Sequence, residues 1–128
     1  MVSIKEINKP DKYLFIVDYS DCKESEMIAG AKEVGRRIRE KNKRVMILSI
    51  FNDRAYVTSR FMRVVEKENR DLSHLIDKQA VVGLNRIKKM ILKGFNLLLK
   101  RNVRNFGSVE DALKFLWDET TTDKEVED

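Results

Sequence analysis

Apolar residues along this chain follow two alternating patterns. Short continuous runs, YLFIVDY at 13–19, RVMILSI at 44–50 and QAVVGL at 79–84, have the form of strands covered on both faces. Between them, apolar residues recur every three or four positions, the period of a helix with one buried face. Met27, Ala31, Val34 and Ile38 make one such face, ahead of a polar stop at REKNK. Asp21 and Glu24, three apart before it, predict a capping box. Tyr56, Val57, Phe61, Val64 and Val65 predict inward positions on a second helix over about 54–69. RDLSHLID at 70–77 reads as a linker, and a third helix is predicted from Asn85 to about Leu99. NVRNF at 102–106 is a short last strand. Ser108 then caps a last helix with Glu110 and Asp111 in its first turn and Ala112, Leu113, Leu116 and Trp117 inside. VSIKEI near the start predicts an extra edge strand that turns at Asn8–Asp11.

Strands that alternate with helices define an α/β fold with a mainly parallel sheet. Four core strands are expected near 13–18, 44–50, 79–83 and 103–106, parallel to one another and each followed by a helix. Residues 1–117 read as a single domain. Residues 118–128, DETTTDKEVED, contain one apolar side chain and are expected to form a disordered acidic tail.

Charge sharpens that division. The chain has 26 basic and 21 acidic residues for a net charge of +5. The tail holds six of the acids and one lysine, so the remaining 117 residues carry 25 basic against 15 acidic side chains. A basic body suits nucleic acid, anionic lipid or an acidic protein. Nucleic acid is disfavoured, because no stacking aromatics interleave the basic residues and no helix-turn-helix pattern is present. No apolar run approaches the roughly 20 residues that span a bilayer, and MVSIKEINKPDK lacks a signal core, so a cytoplasmic protein is expected.

Candidate chemistry is sparse. Cys22 and His74 are single, which excludes an internal disulfide and a cysteine metal cage. Gly30 and Gly35 have the spacing of a phosphate loop, but Arg36-Arg37 follow where Lys-Ser/Thr is needed, and the run lies within a helix. The predicted carboxyl ends of the strands offer Asp18, Ser20 and Asp21, then Asn52 and Asp53, then Gly83 and Asn85. Asp21, Asn52 or Asp53, and Asn85 each read first as helix caps. A phosphoacceptor receiver needs an acidic pair, yet Asp18 is followed by Tyr19. No cofactor or metal is expected, and no catalytic residue is assigned.

The segment QAVVGLNRIKKMILKGFNLLLKRNVRNFGSVEDALKFL resembles bacterial single-domain proteins of the STAS/SEC14-like group, related to anti-sigma-factor antagonists. The likeness lies in an AVVG strand, a helix of form L/I-K-K-x-I-L, a short strand ending in Phe and an s-x-E-e-A-l-x-F/W-L helix. Upstream, YLFIVDYSD, a long helix, RVMILSI and FMRVVEKEN keep the same order over roughly residues 12–117. The resemblance implies a STAS-like sandwich with helices mostly on one face of the sheet. It also implies a non-enzymatic signalling role through protein binding. In antagonist relatives binding is switched by phosphorylation in a D-S-[ST]-G turn. Here the corresponding stretch reads FNDRAYVTSR, so Thr58 and Ser59 are the nearest candidate phosphorylation hydroxyls, and both are expected within or at the edge of a helix. The SEC14 side implies a lipid or small apolar ligand, although the chain is short for an enclosed lipid cavity.

The third helix carries more apolar residues than one face requires. On a helical wheel, Ile87, Met90, Ile91, Gly94, Leu97 and Leu98 form one face, expected to point inward. Gly94 is expected to let the helix approach the sheet. Arg86, Lys89, Lys93 and Lys100 lie opposite, and Leu92, Phe95 and Leu99 form a flank. The apolar arc spans about 220°, where a sheet-covering helix needs little over 100°. Leu92, Phe95 and Leu99, rimmed by Lys89, Lys93 and Lys100, are therefore expected to meet a protein partner, most simply a second copy, or an anionic lipid.

Overall fold

The computed structural model describes residues 1–118. The acidic tail expected over 118–128 lies outside the described residues except for Asp118, which caps the last helix.

The chain opens with a hairpin. β1 (Ser3–Lys9) and β2 (Lys12–Asp18) pair antiparallel, from Ser3 opposite Asp18 to Lys9 opposite Lys12, and Pro10-Asp11 make the turn. Then α1 (Glu24–Lys41), β3 (Val45–Ile50), α2 (Ser59–Leu72), β4 (Ile76–Val82), α3 (Arg86–Leu99), β5 (Arg104–Phe106) and α4 (Val109–Trp117) follow in turn. β2, β3, β4 and β5 run parallel, as the apolar runs predict. The sheet order is β1-β2-β3-β4-β5, the order of the chain itself. Each crossover thus steps the same way, and right-handed connections place α1, α2 and α3 on one face. α4 returns to cover the other.

Alternation along the strands feeds both faces. Tyr13, Phe15 and Val17 of β2 join Val45 and Ile47 of β3 beneath α1 and α2, which supply Met27, Ala31, Val34, Ile38 and Phe61. Leu14, Met46, Leu48, Ala80 and Val82 point the other way, onto Ala112 and Leu116 of α4. All four predicted inner residues of α1 are buried.

Several boundaries move for local reasons. The cap of α1 is at Lys23 rather than Asp21, and Glu26 Oε1 accepts from the Lys23 amide at 2.9 Å. Asp21 instead adopts a left-handed φ of 61°. α2 starts at Ser59 and not near 54, because Thr58 accepts from the Phe61 amide and fixes the first turn. Tyr56 therefore sits in the preceding loop and is 68% exposed, contrary to its inward placement. Where a linker was expected, α2 runs on to Leu72, a single turn of 3₁₀ helix covers Ser73–Leu75, and β4 begins at Ile76. The polar start of β4 is tolerated because its side chains have partners. Asp77 pairs with Arg44, and Lys78 donates to the Phe115 carbonyl at 2.8 Å and to that of Asp118, closing the C-terminus of α4.

Close approaches at glycines include one against a movable side chain and one against backbone. A Cβ on Gly35 in α1 would lie 2.1 Å from Glu68 Oε1 of α2. A Cβ on Gly83, at φ +89°, would lie 1.8 Å from the Phe51 carbonyl oxygen.

Candidate functional site

The carboxyl ends of the parallel strands, where α/β folds hold ligands, bind one another instead. Asp18 Oδ1 accepts from the Ser20 amide at 2.9 Å. Asn52 accepts from the Asp21 amide at 3.0 Å and donates to its carboxylate at 2.9 Å, and Arg54 pairs with Asp21 at 3.1 Å. Asn85 caps α3 by accepting from the Lys88 amide, as its capping reading predicts, and it donates to Asp53 at 3.5 Å. Cys22 is buried near the carboxyl end of β2, whereas exposed His74 lies just before the amino end of β4, so the pair is held at opposite ends of the sheet. Among the described residues no group of His, Cys, Asp and Glu could hold a metal ion.

Thr58 and Ser59 lie at the N-terminus of α2. The Thr58 hydroxyl donates to Glu24 Oε2 at 2.5 Å while accepting from Phe61 N, and Ser59 is exposed.

α3 departs most from expectation. Lys88 and Phe95 are its buried residues. Phe95 packs with Val81 and Val103, and Leu92 and Leu99 lie half-buried beside them. The predicted contact flank of Leu92, Phe95 and Leu99 therefore faces the protein. The set expected inside faces out: Ile87 is 69% exposed, Met90 68%, Leu97 79% and Leu98 58%. Nothing lies within 4 Å of a Cβ built on Gly94, so this glycine gives no close approach to the sheet. Lys89, Lys93 and Lys100 are exposed as predicted.

Polar anchors explain the rotation. Asn96 donates to the Val103 carbonyl at 3.1 Å and accepts from the Val103 amide at 3.0 Å. Lys88 Nζ donates to the Asn52 carbonyl at 2.9 Å. These bonds hold one azimuth of a helix whose apolar arc is too wide to choose for itself. The outward surface is thus a strip of Ile87, Met90, Leu97 and Leu98 around Gly94, bordered by the row Arg86, Lys89, Lys93 and Lys100. No acidic residue occurs in α3.

Beneath α3 lies a cavity of about 120 Å³ between the sheet and α1, α2 and α3. Its walls include Val17, Ile47, Val81, Phe61, Val65 and Phe95, together with Asn69, Gln79 and Lys88. Lys88, Asn69 and Gln79 escaped the sequence reading. The signal for Lys88 was its place on the wheel, among Leu92, Phe95 and Leu99 and apart from the other cations.

No family model matches the chain, and no curated protein sequence matches it. No helix among the described residues is long and apolar enough to cross a membrane.

Proposed function

We propose that the chain is a non-enzymatic regulatory domain that works by binding another protein, in the cytoplasm and in a signalling role of the STAS kind. The outward face of α3 carries this reading. Four large apolar side chains stand in solvent on a helix that a stable sandwich does not need exposed. Three helices on one sheet face and a lone fourth on the other support the STAS resemblance.

The occupant we assign is an acidic amphipathic helix of the partner. Its apolar side would cover the strip, and its acids would meet Arg86, Lys89, Lys93 and Lys100. Gly94 favours a helix over a lipid surface: a backbone can approach a glycine closely, whereas lipid gains little from it. Charge disfavours a second copy, since antiparallel pairing of two α3 strips brings both basic rows to the same side. Thr58 and Ser59, the nearest hydroxyls to the expected phosphorylation turn, lie at the N-terminus of α2 and are not part of this surface.

The test is photo-crosslinking in the native cell. A photoreactive residue replaces Leu97, and another replaces Arg36 on the outer side of α1 as control. A protein adduct at position 97 that is absent at 36, and is lost with Met90→Glu, is the expected result. A mass of twice the chain would put a second copy there. Anionic vesicle binding that Leu97→Glu abolishes, without any protein adduct, would replace the protein partner with lipid.

A further inference from the structure

Burial of a polar atom without a hydrogen bond costs about 1–3 kcal/mol, so buried acceptors normally have partners. The cavity beneath α3 breaks this rule on two sides. Gln79 is 7% exposed and lies opposite Ile47 in the β3–β4 register, so its side chain points to the α1–α3 face. Its Oε1 has no hydrogen-bond partner. Asn69, also 7% exposed, lines the same cavity from α2. Its Nδ2 donates to the Val65 carbonyl at 3.3 Å, which leaves Oδ1 unpartnered. Thus both the sheet wall and a helix wall present an unmet acceptor to a mainly apolar space, whose other polar lining includes Ser49, Glu68, paired with Arg39, and Lys88, bonded to Asn52.

We infer that this cavity is a binding site for a small, compact, mainly apolar molecule that carries hydrogen-bond donors, of the size of one aromatic ring with a hydroxyl or amino group. Size sets the upper bound. The volume of about 120 Å³ is slightly below the roughly 150 Å³ of an engineered apolar cavity that takes up benzene. A long acyl chain does not fit. Chemistry sets the polarity: both unmet atoms are carbonyl oxygens, so the ligand must donate. Access follows from burial. Met62 and Val65 of α2 and Ile91 and Leu92 of α3 are lining residues that remain half-buried, so the cavity reaches solvent along the α2–α3 seam. α3 is the lightly anchored side of that seam. This site stands on the unmet acceptors and not on the outward face of α3, so either reading can fail without the other.

Phenol and toluene are matched probes, alike in shape and different in one donor. Titration of the full chain, followed by methyl and side-chain amide NMR, should show saturable phenol shifts at Ile47, Val65 and Val81. The side-chain amide signals of Gln79 or Asn69 should move with phenol and stay still with toluene. Gln79→Met keeps the side-chain volume and removes the acceptor. It should lower the phenol-to-toluene affinity ratio about tenfold, the size of one lost buried hydrogen bond. Asn69→Leu provides the same test if the first variant does not fold. The amide shifts in the unaltered protein decide the matter without any variant. No saturable shift, which would mean that ordered water alone fills the cavity, overturns the inference. So does equal binding of both probes with unmoved amide signals, or shifts confined to Leu97 and Met90.

Discussion

α1 and α3 cross over the same face of one sheet, yet they meet solvent in opposite ways. α1 buries six residues, Met27, Gly30, Ala31, Val34, Gly35 and Ile38. Its outer basic residues are answered locally: Arg36 pairs with Glu33 and Glu40, and Arg37 with Glu33 and Glu6. α3 buries Lys88 and Phe95, holds four large apolar residues in solvent and has no acid in its span. α1 is complete as a structural element. α3 is complete only with something on its outer side, and that difference separates scaffold from binding surface.

The sharpest way to break this comparison is truncation on each helix. Ile38→Ala or Met27→Ala should cost about 2–5 kcal/mol in urea unfolding, the range for buried aliphatic residues. Leu97→Ala should change stability by no more than about 0.5 kcal/mol. Similar costs at the two sites would mean that α3 is packed in solution as α1 is. Next in size is Phe95→Ala, expected to cost about 3 kcal/mol. Its effect should be local: amide exchange should quicken through α3 and stay slow in α1.

The two helical glycines make a finer test. Gly94→Ala fills open space and gains helix propensity, so it should stabilise by about 0.5–1 kcal/mol. Its partner binding should weaken, because the close approach is lost. Gly35→Ala gains the same propensity but pushes a methyl against the movable Glu68 carboxylate and strains its pairing with Arg39, so the melting temperature should rise less than with Gly94→Ala. If Gly35→Ala stabilises as much as Gly94→Ala, the α1–α2 contact is looser than the structure draws it.

The smallest effect is electrostatic. Hydrogen bonds from Arg36 and Arg37 hold the Glu33 carboxyl down at about 2 from an ordinary 4.5. Glu6 is lowered first by the Tyr13 hydroxyl, and Glu26 first by the Lys23 amide. A lowered carboxyl favours the folded state above its unfolded pKa, and the benefit is lost as pH falls through the folded value. Melting temperature should therefore decline between about pH 4.5 and 2, less steeply in Glu33→Gln, and the difference should shrink at high salt because Glu33 is solvent-screened. α3, without a carboxylate, should contribute nothing to that slope.

The strands and α1 were legible because their apolar residues leave one solution. A continuous run such as 44–50 can only be covered twice, and Met27, Ala31, Val34 and Ile38 form the one apolar face of α1. The same logic failed on α3 because two faces were apolar enough. Periodicity alone places the larger apolar set inside, but the choice is made by Asn96 bonding the Val103 backbone and Lys88 reaching Asn52. Those are contacts between residues whose relation appears only once the chain has folded back. The start of β4 was missed for a related reason: Asp77 and Lys78 look like loop residues until Arg44 and the end of α4 are beside them. The cavity acceptors were invisible, since Gln79 in a strand and Asn69 in a helix carry no mark of being unmet.

The sheet's sequential order also bears on how the chain reaches this state. Every strand pairs with the strand made just before it, so no strand has to be threaded between two that already exist. Contacts between neighbouring units stay short in sequence for a parallel sheet, which lowers the loop-closure entropy of each step and favours quick folding. During synthesis the β1–β2 hairpin can serve as a template, and each strand–helix unit can dock as it emerges. β5, the last strand, has three residues, and so short an edge offers little for a stray chain to pair with once growth is complete.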